Sequence, residues 1–334
     1  MSVPLPSLWR AARPLLGLGA AALLVWFVWE ADALDRLAGA DVAWLAVAVG
    51  LLLAQTILSA IRWRLLARAL GLTLTVRRAV GEYLLAQFLN QTLPGGIAGE
   101  AARAVRSRAD AGLGRAALSV ALDRAAGQAG LLVLTAAGVS LALLAPGELS
   151  SALDGAAPIL GLAAVLVLGT VGGIGLARRW TRAGPALAEA GRAFRPGAPL
   201  ALQVALSLGT AGLNLAAFAA AGRATGVELG PVATLTLVPL VLSAMLIPAG
   251  LAGWGWREGA AAALLPLAGA SAAGALAVSI AFGLCVLAAA LPGALVLALG
   301  PARPSEADAA ETAGDPAPAP PATFSVATPR RAPR

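Results

Sequence analysis

All 24 Lys+Arg positions of this chain are Arg, and there is no His. A guanidinium keeps its charge at any depth and presents a flat fork of donors that matches phosphate or carboxylate oxygens in pairs. The chemistry within reach is therefore anion recognition. Arg103 and Arg106 stand three residues apart, neighbours on a helix surface, and Arg257 stands in a later segment. These three are candidate ligands for an anionic group. The competing reading is that they anchor helix ends at the interface, which is the stronger one for Arg108 and Arg115. Gln87 and Asn90 fall with Tyr83 at i, i+4, i+7, and Asn214 ends a similar stripe with Gln203, Ser207 and Thr210. Such stripes line a polar cavity or bond helix to helix. Glu100, Asp123, Arg124 and Glu258 are candidate charge-coupling residues. A carboxylate near a helix start has a sufficient structural reason, about 0.3–1 kcal/mol of dipole stabilisation. The sharper expectation for Glu100 and Glu258 is an ion pair with an Arg of the opposite half, or a proton-coupling site. Arg257 and Glu258 are adjacent and point about 100° apart, so separate partners are expected. Asp123 and Arg124 either pair functionally or sit at the inner interface.

What is missing narrows the chemistry further. Without His or Lys there is no imidazole base, no neutral-pH switch, no phosphate-loop lysine and no Schiff base. The one cysteine, Cys285, lies in an apolar run and is expected to serve packing. No catalytic residue, metal site or cofactor is expected. Gly17, Gly19 and Ala22 match a dinucleotide fingerprint weakly, but no strand precedes them.

The elements that must carry these residues are membrane helices. Hydrophobic types make up 59% of 334 residues and charged types 12%, with mean hydropathy +0.82. A soluble domain carries about 25% charged residues. Apolar runs long enough to span occur at 15–29, 42–61, 116–145, 157–177, 198–222 and 271–299. The first, with Arg10 and Arg13 before it and Ala31-Asp32-Ala33 after it, also fits a signal peptide. Arg-rich segments at 62–78, 100–115 and 178–196 are placed inside, and the acidic loops 30–41 and 146–156 outside. The net charge of +7 is thus explained by cytoplasmic loops, and no nucleic-acid partner is expected. Two inside segments flank 79–99, so this stretch enters the membrane and returns or lies on its surface, and Pro94-Gly95-Gly96 sits where a hairpin would bend. Trp63 is expected in the inner aromatic belt and Trp44 in the outer one. The 301–334 segment, rich in Pro and Ala, reads as a disordered tail.

An internal repeat joins these pieces. Arg68-Ala69-Leu70-Gly71-Leu72 returns as Arg223-Ala224-Thr225-Gly226-Val227, and Pro94-Gly95-Gly96-Ile97-Ala98-Gly99 as Pro248-Ala249-Gly250-Leu251-Ala252-Gly253. Three spans lie between the copies, so the second copy is inverted. The polar stripe Gln55, Ser59, Arg62 has its counterpart in Thr210 and Asn214. The expected fold is an all-α integral membrane protein with about six spanning helices plus two re-entrant or broken helices in an inverted repeat. Its parts are a cytoplasmic N-terminus at 1–14, a polytopic domain at 15–300 (repeats about 42–177 and 198–299) and the tail. Pro94, Gly95, Gly96, Gly99, Pro248, Gly250 and Gly253 form the two elbows.

Asn90 to Arg103, the Leu122-Asp123-Arg124 triplet and Gly253-Trp254-Gly255-Trp256-Arg257-Glu258 together resemble the flippase-like transmembrane region of the lysylphosphatidylglycerol synthase family. The order and spacing of a Pro-Gly-Gly elbow, an Asp-Arg pair and a second elbow ending in Arg-Glu carry the likeness over roughly 10–300. Ile97-Ala98 and Leu251-Ala252 stand where relatives often have another Gly. The resemblance implies a multi-pass inner-membrane protein that moves a phospholipid or lipid-linked anionic head group between leaflets; the N-terminus with Arg10 and Arg13 is expected in the cytoplasm by its charge, and the C-terminus is expected there too. In one arrangement the region is fused to a soluble synthase domain, which this sequence lacks, so a stand-alone form is expected. The alternatives are a lipid-modifying transferase in the membrane, or a partner subunit of a separate lipid-modifying enzyme.

Overall fold

The computed structural model describes residues 33–93, 97–109, 111–144, 197–246 and 253–299, with positions 191 and 194. The described residues are helical throughout their ordered elements, with no strand among them. They run α1 (Ala33–Ala38), α2 (Val42–Ala69), α3 (Val76–Thr92), α4 (Ala98–Arg106), α5 (Gly112–Leu144), α6 (Ala198–Ala224), α7 (Pro231–Ser243), α8 (Trp256–Leu264), α9 (Ala272–Ala290) and α10 (Pro292–Leu299). Of the expected spans, 42–61, 116–145, 198–222 and 271–299 coincide with long apolar helices: Val42–Ala69, Gly112–Ala142, Ala198–Ala224 and Ala272–Leu299. The runs 15–29 and 157–177 lie outside the described residues, as do Pro94, Gly95, Gly96, Pro248, Gly250 and the 1–14 and 301–334 segments. At about 1.5 Å per residue each of the four is long enough to cross a hydrocarbon layer of about 30 Å.

Local signals explain where these helices start and stop. Asp41 caps α2 by accepting from the Ala43 N–H at 2.8 Å, Thr75 caps α3 through the Arg78 N–H at 3.2 Å, and Ser271 caps α9 through Gly274 at 3.1 Å. The first repeated motif builds the same C-terminal cap twice. Gly71 and Gly226 adopt φ of 86° and 74°, and Leu72 and Val227 return N–H bonds to Ala67 and Gly222 at 3.0 and 2.8 Å. Each long helix is thereby turned into the shorter one that follows, α2 into α3 and α6 into α7.

The packing relates the two blocks. α2 and α6 form the central pair, and they run antiparallel: the Asp41 N–H donates to the Ala224 carbonyl at 2.9 Å, while Arg62 reaches Thr210 at 2.9 Å. α5 packs on α2 and α4 of its own block and on α6 and α7 of the other; α9 and α10 pack on α6 and α8, and on α2 and α3. Helices in lipid gain little from hydrophobic burial against one another, so close approach through small residues matters more. Gly138 of α5 lies against Leu235 of α7, where a Cβ would come within 2.6 Å of the leucine Cβ. Gly293 of α10, 155 positions later, lies against Leu84 of α3, where a Cβ would sit 2.2 Å from the carbonyl oxygen. Cys285 is buried in the larger core cluster with Phe218 and Phe282.

α3 and α4 lie side by side in opposite directions. The Gly99 N–H donates to Asn90 Oδ1 at 2.8 Å at the closed end, and Arg106 meets Glu82 at 2.7 Å at the open end. Gly99 is required there, since a Cβ would fall 2.1 Å from the Ala86 carbonyl oxygen. At the second elbow Gly253 holds φ of 80° against Met245.

Candidate functional site

Where the first block's helices converge, one carboxylate gathers three donors. α5 carries Asp123, whose side chain is 1% exposed. Its Oδ1 accepts from Arg62 Nε of α2 at 3.0 Å; its Oδ2 accepts from Arg103 of α4 at 3.2 Å and from the Tyr83 hydroxyl of α3 at 3.0 Å. Arg62 also donates to Thr210 of α6 at 2.9 Å, so five helices meet at this node. The Arg103 guanidinium lies over the rings of Tyr83 and Trp63, 4.2 and 4.8 Å from their centroids. Trp63 in turn donates to Ser119 at 3.1 Å. A buried ion pair is stable only when its geometry offsets desolvation. Here two arginines share one acid, a phenol and a hydroxyl, which leaves one positive charge uncancelled.

That surplus faces space. A cavity of about 300 Å³ opens beside the node. Arg62, Arg103 and Asp123 form its charged floor, and carboxamides from four helices, Gln55, Gln87, Asn90, Gln91, Gln128 and Asn214, line its walls. Arg103 Nε is buried with no hydrogen-bond partner. An unpartnered buried donor on a charged group is costly unless something outside the chain satisfies it. At the edge, Glu100 of α4 pairs with Arg124 of α5, and the second carboxylate oxygen of Glu100 is buried without a partner.

The sequence-derived candidates divide accordingly. Arg103, Gln87, Asn90, Asn214, Glu100, Asp123 and Arg124 all line this cavity. Asn90 spends its carbonyl oxygen on Gly99 and so also fixes the α3–α4 junction. Arg106 is not brought there: it pairs with Glu82, and its backbone carbonyl accepts from Arg78 at 3.2 Å, tying the two arms together. Arg257 is also elsewhere. It is 1% exposed, sealed between Trp254 and Phe282, and donates to Ser279 and Glu258 at 3.0 Å each. This corrects the expectation of separate partners for Arg257 and Glu258. A long arginine at a helix start can fold back onto its neighbour, and Gly283 leaves the room for it. Glu258 also accepts from the Gly255 N–H at 2.6 Å, capping α8. Neither Glu100 nor Glu258 reaches an arginine of the opposite half, because Arg124 and Arg257 lie closer within their own halves.

Three residues matter more here than their sequence reading indicated. Arg62 was grouped with the inside-facing cations and Trp63 with the aromatic belt, yet both are buried, at 3% and 0% exposure. Thr210 appeared only as one member of a polar stripe. The signal was present in the spacing: Gln55, Ser59 and Arg62 share one helix face, and all three line the cavity.

The family model described as lysylphosphatidylglycerol synthase TM region matches residues 14–293. No curated protein and no solved structure matches the chain.

Proposed function

Since the chain belongs to the lysylphosphatidylglycerol synthase TM-region family, a multi-pass membrane setting and a lipid-related role are its starting point, and we propose that it is a flippase-like transporter. It moves a phospholipid or lipid-linked anionic head group between leaflets. The observation that carries this reading is the polar cavity of about 300 Å³ inside an apolar helix bundle, with one uncancelled positive charge on the arginines at its floor. Charged groups at such depth are expensive and mark transport paths by default. The volume suits a head group, while the acyl or prenyl chains remain in lipid.

In this reading α3–α4 and α7–α8 are re-entrant hairpins of an inverted repeat, and α2 and α6 are its antiparallel central pair. The doubled glycine cap, the shared order of long helix, short helix, break and short helix, and the reciprocal glycine contacts at Gly138 and Gly293 support it. Alternating access then follows from rocking one half against the other. A transferase reading is less favoured, because each carboxylate that could act as its base is already engaged: Asp123 by two arginines and a phenol, Glu258 by Arg257 and the Gly255 N–H, and Glu100 by Arg124. The test is the purified chain in liposomes carrying a fluorescent anionic phospholipid, with and without a pH gradient. Translocation above empty vesicles is expected; a rate equal to empty vesicles across several anionic lipids contradicts the proposal.

A further inference from the structure

The same register that pairs the elbows also pairs two arginine sites. Pro94 and Gly99 recur 154 positions later as Pro248 and Gly253, and the same step takes Arg103 to Arg257. Both guanidiniums lie against two aromatic rings, Tyr83 and Trp63 for Arg103, Trp254 and Phe282 for Arg257. Both take an acceptor from the following long helix. These acceptors, Asp123 and Ser279, are 156 positions apart. One turn beyond each stands a glycine at the same step, Gly127 and Gly283, and each faces a guanidinium that a Cβ would crowd, at 3.1 Å from Arg62 and 2.2 Å from Arg257.

The two sites differ where charge is concerned. Ala104 follows Arg103, but Glu258 follows Arg257. Arg62 of α2 corresponds to Ala217 of α6, 155 positions on. The first site therefore holds two arginines against one acid and opens on a cavity. The second holds one arginine against one acid and is closed, with Arg257 and Glu258 each 1% exposed. We propose that the second half contains an internally ligated copy of the first half's arginine site, in which the Glu258 carboxylate sits on Arg257 as an external oxyanion sits on Arg103. The chain thus takes one oxyanion, through its first half, and the Arg257–Glu258 pair is a self-neutralised counterpart. The inference rests on the reading of Arg103 as an anion site, and it gives that site its stoichiometry.

The full chain in detergent micelles tests this through its unfolding temperature, with sodium chloride as the ionic-strength control. Anything that binds only the folded state raises that temperature. Inorganic phosphate is expected to stabilise the wild-type chain and to lose this effect in Arg103→Gln. In the Arg103→Gln background, Glu258→Ala is expected to lower the unfolding temperature and to create a new response to formate, a shift on the order of a few degrees that chloride does not give. Adding Arg257→Gln should remove the formate response. A role for Glu258 limited to capping α8 would give no selective recovery by formate, and that result overturns the proposal. If the double variant does not fold, Ala104→Glu decides: it supplies the first half with its own carboxylate and should abolish the phosphate response, whereas an unchanged phosphate response overturns the proposal. A wild-type chain insensitive to phosphate, beside a formate response in the double variant, would instead count against the anion-site reading and leave the copied site standing.

Discussion

Two guanidiniums and a phenol converge on the Asp123 carboxylate, so its removal strands more than one partner. Asp123→Asn keeps the size and removes the charge, leaving Arg62 and Arg103 buried without their counter-ion. Uncompensated buried charges of this kind cost about 3–5 kcal/mol. The expected outcome is a markedly lower unfolding temperature in detergent. Arg103→Gln is expected to behave differently, because Asp123 keeps Arg62 and Tyr83. Expression and folding should survive, while lipid translocation falls to the vesicle background; a normal rate in this variant would remove Arg103 from the transport site. At this scale much was legible from residue type and spacing. Arg103, Gln87, Asn90 and Asn214 could be nominated because a polar stripe in an apolar run needs a reason. Arg62 carries the same stripe signal through Gln55 and Ser59, but Trp63 does not, and Arg and Trp near a helix end also fit the interface. Only the packing of α4 and α5 over that end, which is non-local, shows them to be buried.

The elements are positioned by close backbone approach, and glycine is where that approach can be tested. Gly99→Ala would set a Cβ 2.1 Å from the Ala86 carbonyl and push α4 away from α3. The Arg103–Asp123 bond depends on that placement, so loss of both stability and transport is expected. Gly50→Ala, inside α2 with nothing within 4 Å of the added Cβ, is the matched control and should be neutral or stabilising by about 0.5–1 kcal/mol. Equal effects of the two substitutions on thermal unfolding would contradict this account of the hairpin. The existence of the long helices was readable from hydropathy, whereas the caps at Asp41, Thr75 and Ser271 come from the structure. The pairing of Arg257 with Glu258 was not, because a rule about adjacent helical positions describes Cβ directions and not the reach of an arginine side chain.

For the whole molecule, the repeat makes a statement about sidedness. α2 and α6 are antiparallel, so the loop after α2 and the loop after α6 lie at opposite ends of the pair. In a Cys285→Ser background, single cysteines at Thr73 and Arg108 should react with a membrane-impermeant maleimide from one side, and cysteines at Glu228 and Ala272 from the other. Labelling of Thr73 and Arg108 from different sides would show that 79–99 crosses the membrane and would end the re-entrant reading. The proposed repeat rests on sequence matches that keep Pro and Gly at fixed spacing, 94–99 against 248–253. The substitutions that set Arg103 and Arg257 apart, Ala104 against Glu258 and Arg62 against Ala217, also stand in the sequence, but only the packing shows that one arginine opens on a cavity and the other is sealed. The most direct test of the central claim, that an anionic head group sits on Arg103 inside the bundle, is an experimental density map of the chain in nanodiscs rich in anionic lipid. The account predicts phosphate-sized density against the Arg103 side chain in the cavity, with its chains leading out to lipid. A cavity holding only water, with head groups confined to the membrane surface, would contradict it.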